Sequence, residues 1–199
     1  MRFVGAAVFP TFSEAFMADV FLMGTSGKFD DPQRSKWREP IKAACAKAGL
    51  TCFDPVVPEW NDAAMKAEIE ALRTSHVNVM AVTADTAGIA SLAESGWVAL
   101  SAIYRKQAFG LYVDTMFVAE GFDPRLSQAS SDLIKYLMGQ GKQKDTHELA
   151  ESSRRARKLV EGHAHELSKQ FPQLNLYVAR DLRDLTNWTV TTAKRITGK

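Results

Sequence analysis

The stretch "VNVMAVTADTAGIASLAESGWVALSAIY", residues 77–104, decides the fold. Six strand-forming residues, Val77 to Val82, run into a polar loop, Thr83 to Gly88, and then into a long apolar-rich segment with helical periodicity. An apolar run of this length bounded by turn residues reads as a buried strand, and a strand followed by a helix is the unit of an α/β chain with a mainly parallel sheet.

The same alternation recurs on both sides. Strand candidates are Val20 to Met23, Leu50 to Phe53, Val77 to Val82, Phe109 to Val113 and Leu174 to Val178. Between the first two, "SKWREPIKAACAKAG" places Trp37, Ile41, Ala44, Cys45 and Ala48 on one helical face, with Ser35 as the expected N-cap and Gly49 where a C-terminal cap belongs. Pro40 falls in or just after the first turn, where backbone N–H groups have no intrahelical partner. A second helix, about Asp62 to Arg73, is expected to turn Met65, Ile69 and Leu72 inward. A third, about Ile89 to Lys106, is expected to do so with Leu92, Ala93, Gly96, Trp97, Leu100, Ile103 and Tyr104. Residues 127–170 read as two helices broken near "MGQGKQ", followed by the fifth strand and a last helix from Ala179 to Ile196. The expectation is one domain over residues 1–199, a flavodoxin-like (Rossmann-like) sandwich with a mainly parallel five-stranded sheet. Its core spans 18–118, and a C-terminal helical extension spans 119–199.

Composition sets limits on function. The chain has 199 residues, 46% hydrophobic and 24% charged, which are ordinary globular proportions. No run approaches the ~20 apolar residues of a membrane span, and the N-terminal stretch is interrupted by Pro10, Ser13, Glu14 and Asp19, so neither a membrane anchor nor a signal peptide is expected. Cys45 and Cys52 suit neither a metal knuckle nor a disulfide framework, which points to the cytoplasm. Residues 1–134 hold 12 Lys/Arg against 16 Asp/Glu and residues 135–199 hold 13 against 7. The basic tail, "SSRRARKLVEGHAHELSK", reads as a solvated helix face with acidic residues interspersed, and nucleic acid is not the expected partner.

Two loops carry candidate chemistry. "GTSGK", residues 24–28, follows the first strand at the edge where open α/β sheets bind ligands, but lacks the glycine spacing and following hydroxyl of a P-loop. A plain strand-to-helix connection is the alternative for it. After the third strand, Asp85 and Glu94 fall at the same edge. Glu94 sits in an apolar stretch near the positive end of a helix, where a carboxylate stays ionised as a nucleophile requires; the alternative is a glutamate on a solvated face. His163 and His165 are two residues apart and fall on different sides of a helix, and His76 and His147 have no partner at ligand spacing, so no metal site is expected.

Four short motifs in order, "VFLMG" (20–24), "WREPI" (37–41), "FDPVVPEW" (53–60) and "SLAESGW" (91–97), resemble the nucleoside 2-deoxyribosyltransferase-like proteins over about residues 18–115. The resemblance implies that Glu94 attacks the anomeric carbon of a nucleoside, releasing the base and forming a glycosyl-enzyme that a second base resolves. Asp85 is then the acid for the leaving base. It implies a nucleoside pocket with Gly24, Thr25 and Ser26 approaching the sugar, Lys28 reaching a 5′-phosphate, Trp60 and Asn61 offering a stacking face and an amide, and Ser91 nearby. It implies no cofactor and no metal, and a homo-oligomer. Leu133, Ile134, Leu137 and Met138 offer an apolar face for assembly or for packing on the sheet. The chain has Phe21 where the family often has an orienting tyrosine, so Ser91 or Thr83 is expected to supply that hydroxyl. Hydrolysis of the same bond, cleavage of NAD, and a nucleotide-binding sensor without turnover are the competing readings.

Overall fold

The computed structural model describes residues 17–26, 36–59, 61–117 and 140–199. Five parallel strands form one sheet: β1 (Val20–Gly24), β2 (Cys52–Phe53), β3 (Val77–Val82), β4 (Ala108–Val113) and β5 (Leu176–Val178). Their spatial order is β2-β1-β3-β4-β5, the flavodoxin-like order, which reverses direction between β1 and β3. The protein is thus an α/β sandwich with a flavodoxin-like, Rossmann-like sheet. Every residue of β3 is buried, as a strand covered by helices on both faces requires. Its one polar member, Asn78, donates from Nδ2 to Gln107 Oε1 at 3.1 Å, and Gln107 Nε2 donates to the carbonyls of Leu72 and Ser75.

On one face lie α1 (Arg38–Lys47) and α5 (Leu182–Thr197), which bury Trp37, Ile41, Cys45, Leu185 and Ala193 against the sheet. Gly110 is required on this face because a Cβ there would lie 2.4 Å from the Trp188 ring, which itself stacks on Tyr177 at 5.2 Å. The other face carries α2 (Asp62–Thr74), α3 (Ile89–Arg105) and α4 (Gln140–Gln170). Helix α4 begins within "MGQGKQ" and continues unbroken to Gln170; the segment before it, with Leu133, Ile134, Leu137 and Met138, lies outside the described residues, as do Ser35, Lys28 and Trp60.

Helix orientation on this second face differs from expectation. Helix α3 buries Ser91, Leu92, Ser95, Val98 and Ala102, whereas Trp97, Leu100 and Tyr104 are 75%, 58% and 85% exposed. Of the residues expected inside, Leu92 alone is fully buried. In α2 likewise Ala71 is buried and Leu72 half-buried, with Met65 and Ile69 outside. The cause is packing between neighbours: α3 stands between α2 and α4 over the middle of the sheet, and its small face, rich in Ser and Ala, permits close approach where Trp97 could not fit. Ser95 satisfies its hydroxyl within the helix, donating to Leu92 O at 2.8 Å. Gly96 is exposed and a Cβ there would meet nothing within 4 Å, so among the described residues nothing gives a packing reason for a residue that costs a helix interior roughly 1 kcal/mol.

Candidate functional site

Gly24 ends β1 with φ +126°, and a Cβ there would lie 2.0 Å from Ala81 O, so glycine alone lets β1 lie this close to β3. The chain then turns out of the sheet, and each of the two loops at this edge is pinned by a buried arginine. Arg38, 1% exposed, donates to the carbonyls of Thr25 (2.9 Å) and Gly24 (3.2 Å), pairs with Asp54 at 3.3 Å and lies over the Trp37 ring. Trp37 adds its indole N–H to Thr25 O at 2.8 Å.

The second arginine comes from α4. Arg157, wholly buried, donates to Val82 O (3.2 Å), Asp114 O (2.6 Å), Thr86 O (2.6 Å) and Ser153 Oγ (3.0 Å), while Ser153 donates to Ala87 O at 2.7 Å. Desolvation lowers the Arg157 pKa from its usual value, opposed by the charges of Asp114 and Asp85. A guanidinium supplies five donors in a rigid fork, which suits it to hold several carbonyls at once. The β3–α3 loop is therefore fixed from the C-terminal part of the chain.

Between these pinned loops a cleft of about 640 Å³ opens at the carboxyl edge of the sheet. Gly24, Thr25 and Ser26 form one wall, Ser91 and Glu94 of α3 another, and Arg38 and Glu68 close the side toward α1 and α2. Helix α3 starts at Gly88 with no side-chain cap, so its unpaired N–H groups and positive dipole end belong to the cleft wall. The structure thus brings Gly24, Thr25, Ser26, Ser91 and Glu94 together.

The other expected residues stand elsewhere. Asp85 is exposed and outside the cleft lining, and its carboxylate accepts from the Thr83 hydroxyl. Thr25 Oγ1 lies 2.6 Å from Thr83 Oγ1 and accepts from Thr83 N at 3.1 Å, so these hydroxyls link the two loops. Asn61 is the N-cap of α2, accepting from Ala64 N at 3.0 Å. Phe21 is buried against Phe53 in the core on the α2–α4 side of the sheet.

Sequence reasoning missed three residues. Arg157 reads as one of several basic residues on a solvated helix face, and Arg38 enters only as part of "WREPI". Glu68 lies three residues after Met65 and four before Leu72, and that shared helical side was the signal available. Burial pushes the Glu68 carboxyl above its usual pKa, the negative charge of Glu94 adds to this, and Arg38 opposes it. Glu94 is open to solvent along one side, yet the protein around its carboxylate still raises its pKa through desolvation. Two carboxyl groups with raised proton affinity thus share one cleft, and like charges in proximity favour one protonated and one ionised group.

Among the described residues no group of three or more His, Cys, Asp or Glu could hold a metal ion, and no helix is long and apolar enough to cross a membrane. No protein-family model matches the chain, and no curated protein matches its sequence.

Proposed function

We propose that the cleft cleaves the N-glycosidic bond of a nucleoside or nucleotide, passing 2-deoxyribose between nucleobases through a glutamyl glycosyl-enzyme. The observation that carries this reading is the Glu68–Glu94 pair at the carboxyl edge of a flavodoxin-like sheet. Ionised Glu94 attacks the anomeric carbon as the C–N bond breaks, and the departing base takes a proton from an acid. A second base then attacks the same carbon, expels Glu94 and returns a proton to that acid. Glu68 suits the acid role by its place in the cleft and its raised pKa; Asp85, outside the lining, is the alternative. Of the two carboxyl groups Glu94 is the more open to solvent, which favours it over Glu68 as the ionised partner. The two free cysteines, Cys45 and Cys52, suit a reducing cytoplasm.

Hydrolysis is the second reading, favoured by the exposure of Glu94: water that reaches the glycosyl-enzyme competes with an acceptor base. Chromatography after incubation with deoxynucleosides, their monophosphates and NAD, each with and without an acceptor base, distinguishes these outcomes. Base release that requires acceptor indicates transfer, and release without it indicates hydrolysis. Glu94→Gln is expected to abolish turnover, and Glu68→Gln to slow it about 100-fold or more. Retained binding without turnover in the wild type would instead support a sensor, with Phe21 as the structural reason.

A further inference from the structure

The edge of the sheet opposite the cleft carries two adjoining cavities. One, of about 520 Å³, lies where α2, α3 and α5 end and is lined by Arg73, His76, Arg105 and Lys106. The other, of about 330 Å³, lies under the end of α3 and is mostly apolar, with Ile103, Phe109 and Leu176 in its wall. Lys106, Gln107 and Asn175 line both. Among the described residues no Asp or Glu lines either cavity, in contrast to the cleft with Glu68 and Glu94.

Helix ends account for only part of this charge. Arg73 complements the end of α2 and is held there by Glu70. The one hydrogen bond of the Arg105 side chain goes to Ser101 Oγ at 3.4 Å, and Lys106 makes no side-chain hydrogen bond or ion pair among the described residues. Lys106 closes α3 with φ +59°, the one residue other than glycine with positive φ among those described. Glycine is the ordinary residue there, so the chain accepts strain and sets an ammonium at the junction of the two cavities. Ser75 is a second, independent sign. It is 1% exposed, stands in the wall of the larger cavity, and its hydroxyl has no hydrogen-bond partner among the described residues; Asn78 Oδ1 has none either. Both residues are tied to Gln107, which donates to Ser75 O at 2.6 Å and accepts from Asn78 Nδ2 at 3.1 Å, so the inner wall is fixed and retains unused polar capacity.

We propose that the two cavities form a second binding site, for a phosphate monoester that carries a flat, largely apolar group, of the size of a nucleoside 5′-monophosphate. The phosphate lies between Arg105 and Lys106, and the flat group enters the apolar cavity under α3, where the exposed Gln173 and Asn175 offer amides to its polar edge. Each volume falls in the ~300–1,000 Å³ range of small-molecule sites. At about 330 Å³ the apolar cavity takes a ring system, whereas a long acyl chain would not fit. The Ser75 hydroxyl then gains an acceptor, directly or through a water. This site lies at the opposite edge of the sheet from the cleft and is independent of the reaction performed there.

Calorimetric titration with adenosine 5′-monophosphate, adenosine and inorganic phosphate, followed by hydrogen exchange with and without the nucleotide, tests the proposal. A Glu94→Gln background keeps the cleft from consuming the probe. The monophosphate is expected to bind about 10-fold or more tightly than either of its parts and to protect residues 104–107 and 173–176. Lys106→Gly is expected to weaken this binding about 10-fold or more and to abolish that protection, while raising the urea midpoint because glycine suits φ +59°. A lysine that served only the helix end would give the opposite pairing, a lower midpoint with affinity unchanged. Protection at residues 83–94 belongs to the cleft and should survive Lys106→Gly. No binding, inorganic phosphate binding as tightly as the monophosphate, protection confined to residues 83–94, or affinity and protection indifferent to Lys106→Gly would overturn the proposal.

Discussion

The two helical layers of this sandwich read alike in sequence and differ in space. Helices α1 and α5 direct their large apolar side chains onto the sheet, and of these Ile196, near the C-terminus, is the exception left exposed. Across the sheet, α3 turns serines and alanines inward and its largest side chains out. Periodicity reports that a face is apolar, not which of two apolar faces meets the sheet. When both are present, the smaller one can win, because close approach of helix to sheet between flanking helices is limited by side-chain volume.

Truncation on the closed layer should give the largest effect. Leu185 is fully buried between α5 and the sheet, so Leu185→Ala is expected to cost about 2–5 kcal/mol, from lost burial plus the cavity left behind. Leu100→Ala removes the same atoms from the exposed side of α3 and is expected to change the unfolding free energy by no more than about 0.5 kcal/mol. Urea unfolding of both variants measures the contrast. Equal costs would mean that the two layers are packed alike.

Next comes the tie between the second layer and the site. Arg157→Met keeps much of the apolar stem but leaves the half-buried carbonyls of Thr86 and Asp114 without their side-chain donor, while Val82 O, which also loses a bond, still accepts from Asp114 N. A loss of about 2–3 kcal/mol is expected. The effect should be local as well: hydrogen exchange at residues 83–88 should rise more than exchange in β1, which Arg157 does not touch. A uniform rise would show that the arginine holds the fold in general and not this loop.

Legibility followed the same physics. The wholly buried β1 and β3 were clear as uninterrupted apolar runs, and the strand-to-helix order fixed their parallel arrangement. Gly24, Thr25, Ser26 and Glu94 were placed at one edge because the topology brings the ends of β1 and β3 together. The buried arginines were hidden, since Arg157 sits within "SSRRARK", a run whose other basic residues are exposed or half-buried. Nothing in spacing shows which of several arginines finds three carbonyls. Asn61 was read as a ligand amide because a residue just before a helix serves equally well as cap or contact, and its hydrogen bond to Ala64 N identifies the cap.

The smallest expected effect concerns pH and separates the cleft from the rest of the surface. Burial and the charge of Glu94 raise the folded-state pKa of Glu68 above its unfolded value. The folded protein therefore holds this proton more tightly, and the stability it contributes is full below the unfolded pKa and lost as pH rises through the folded one. Asp19 behaves oppositely. Although burial favours its neutral form, hydrogen bonds from Lys199 and Thr51 lower its pKa, so its contribution is present above the unfolded value and lost as pH falls through the folded one. Glu68→Gln should leave the acid-side loss due to Asp19 intact and remove the opposing slope. Its urea midpoint should gain on the wild type as pH rises from about 4 toward 7 and then run parallel to it. A constant offset at every pH would mean that Glu68 ionises in the folded protein as it does in the unfolded chain, and the cleft would then lose its protonated acid.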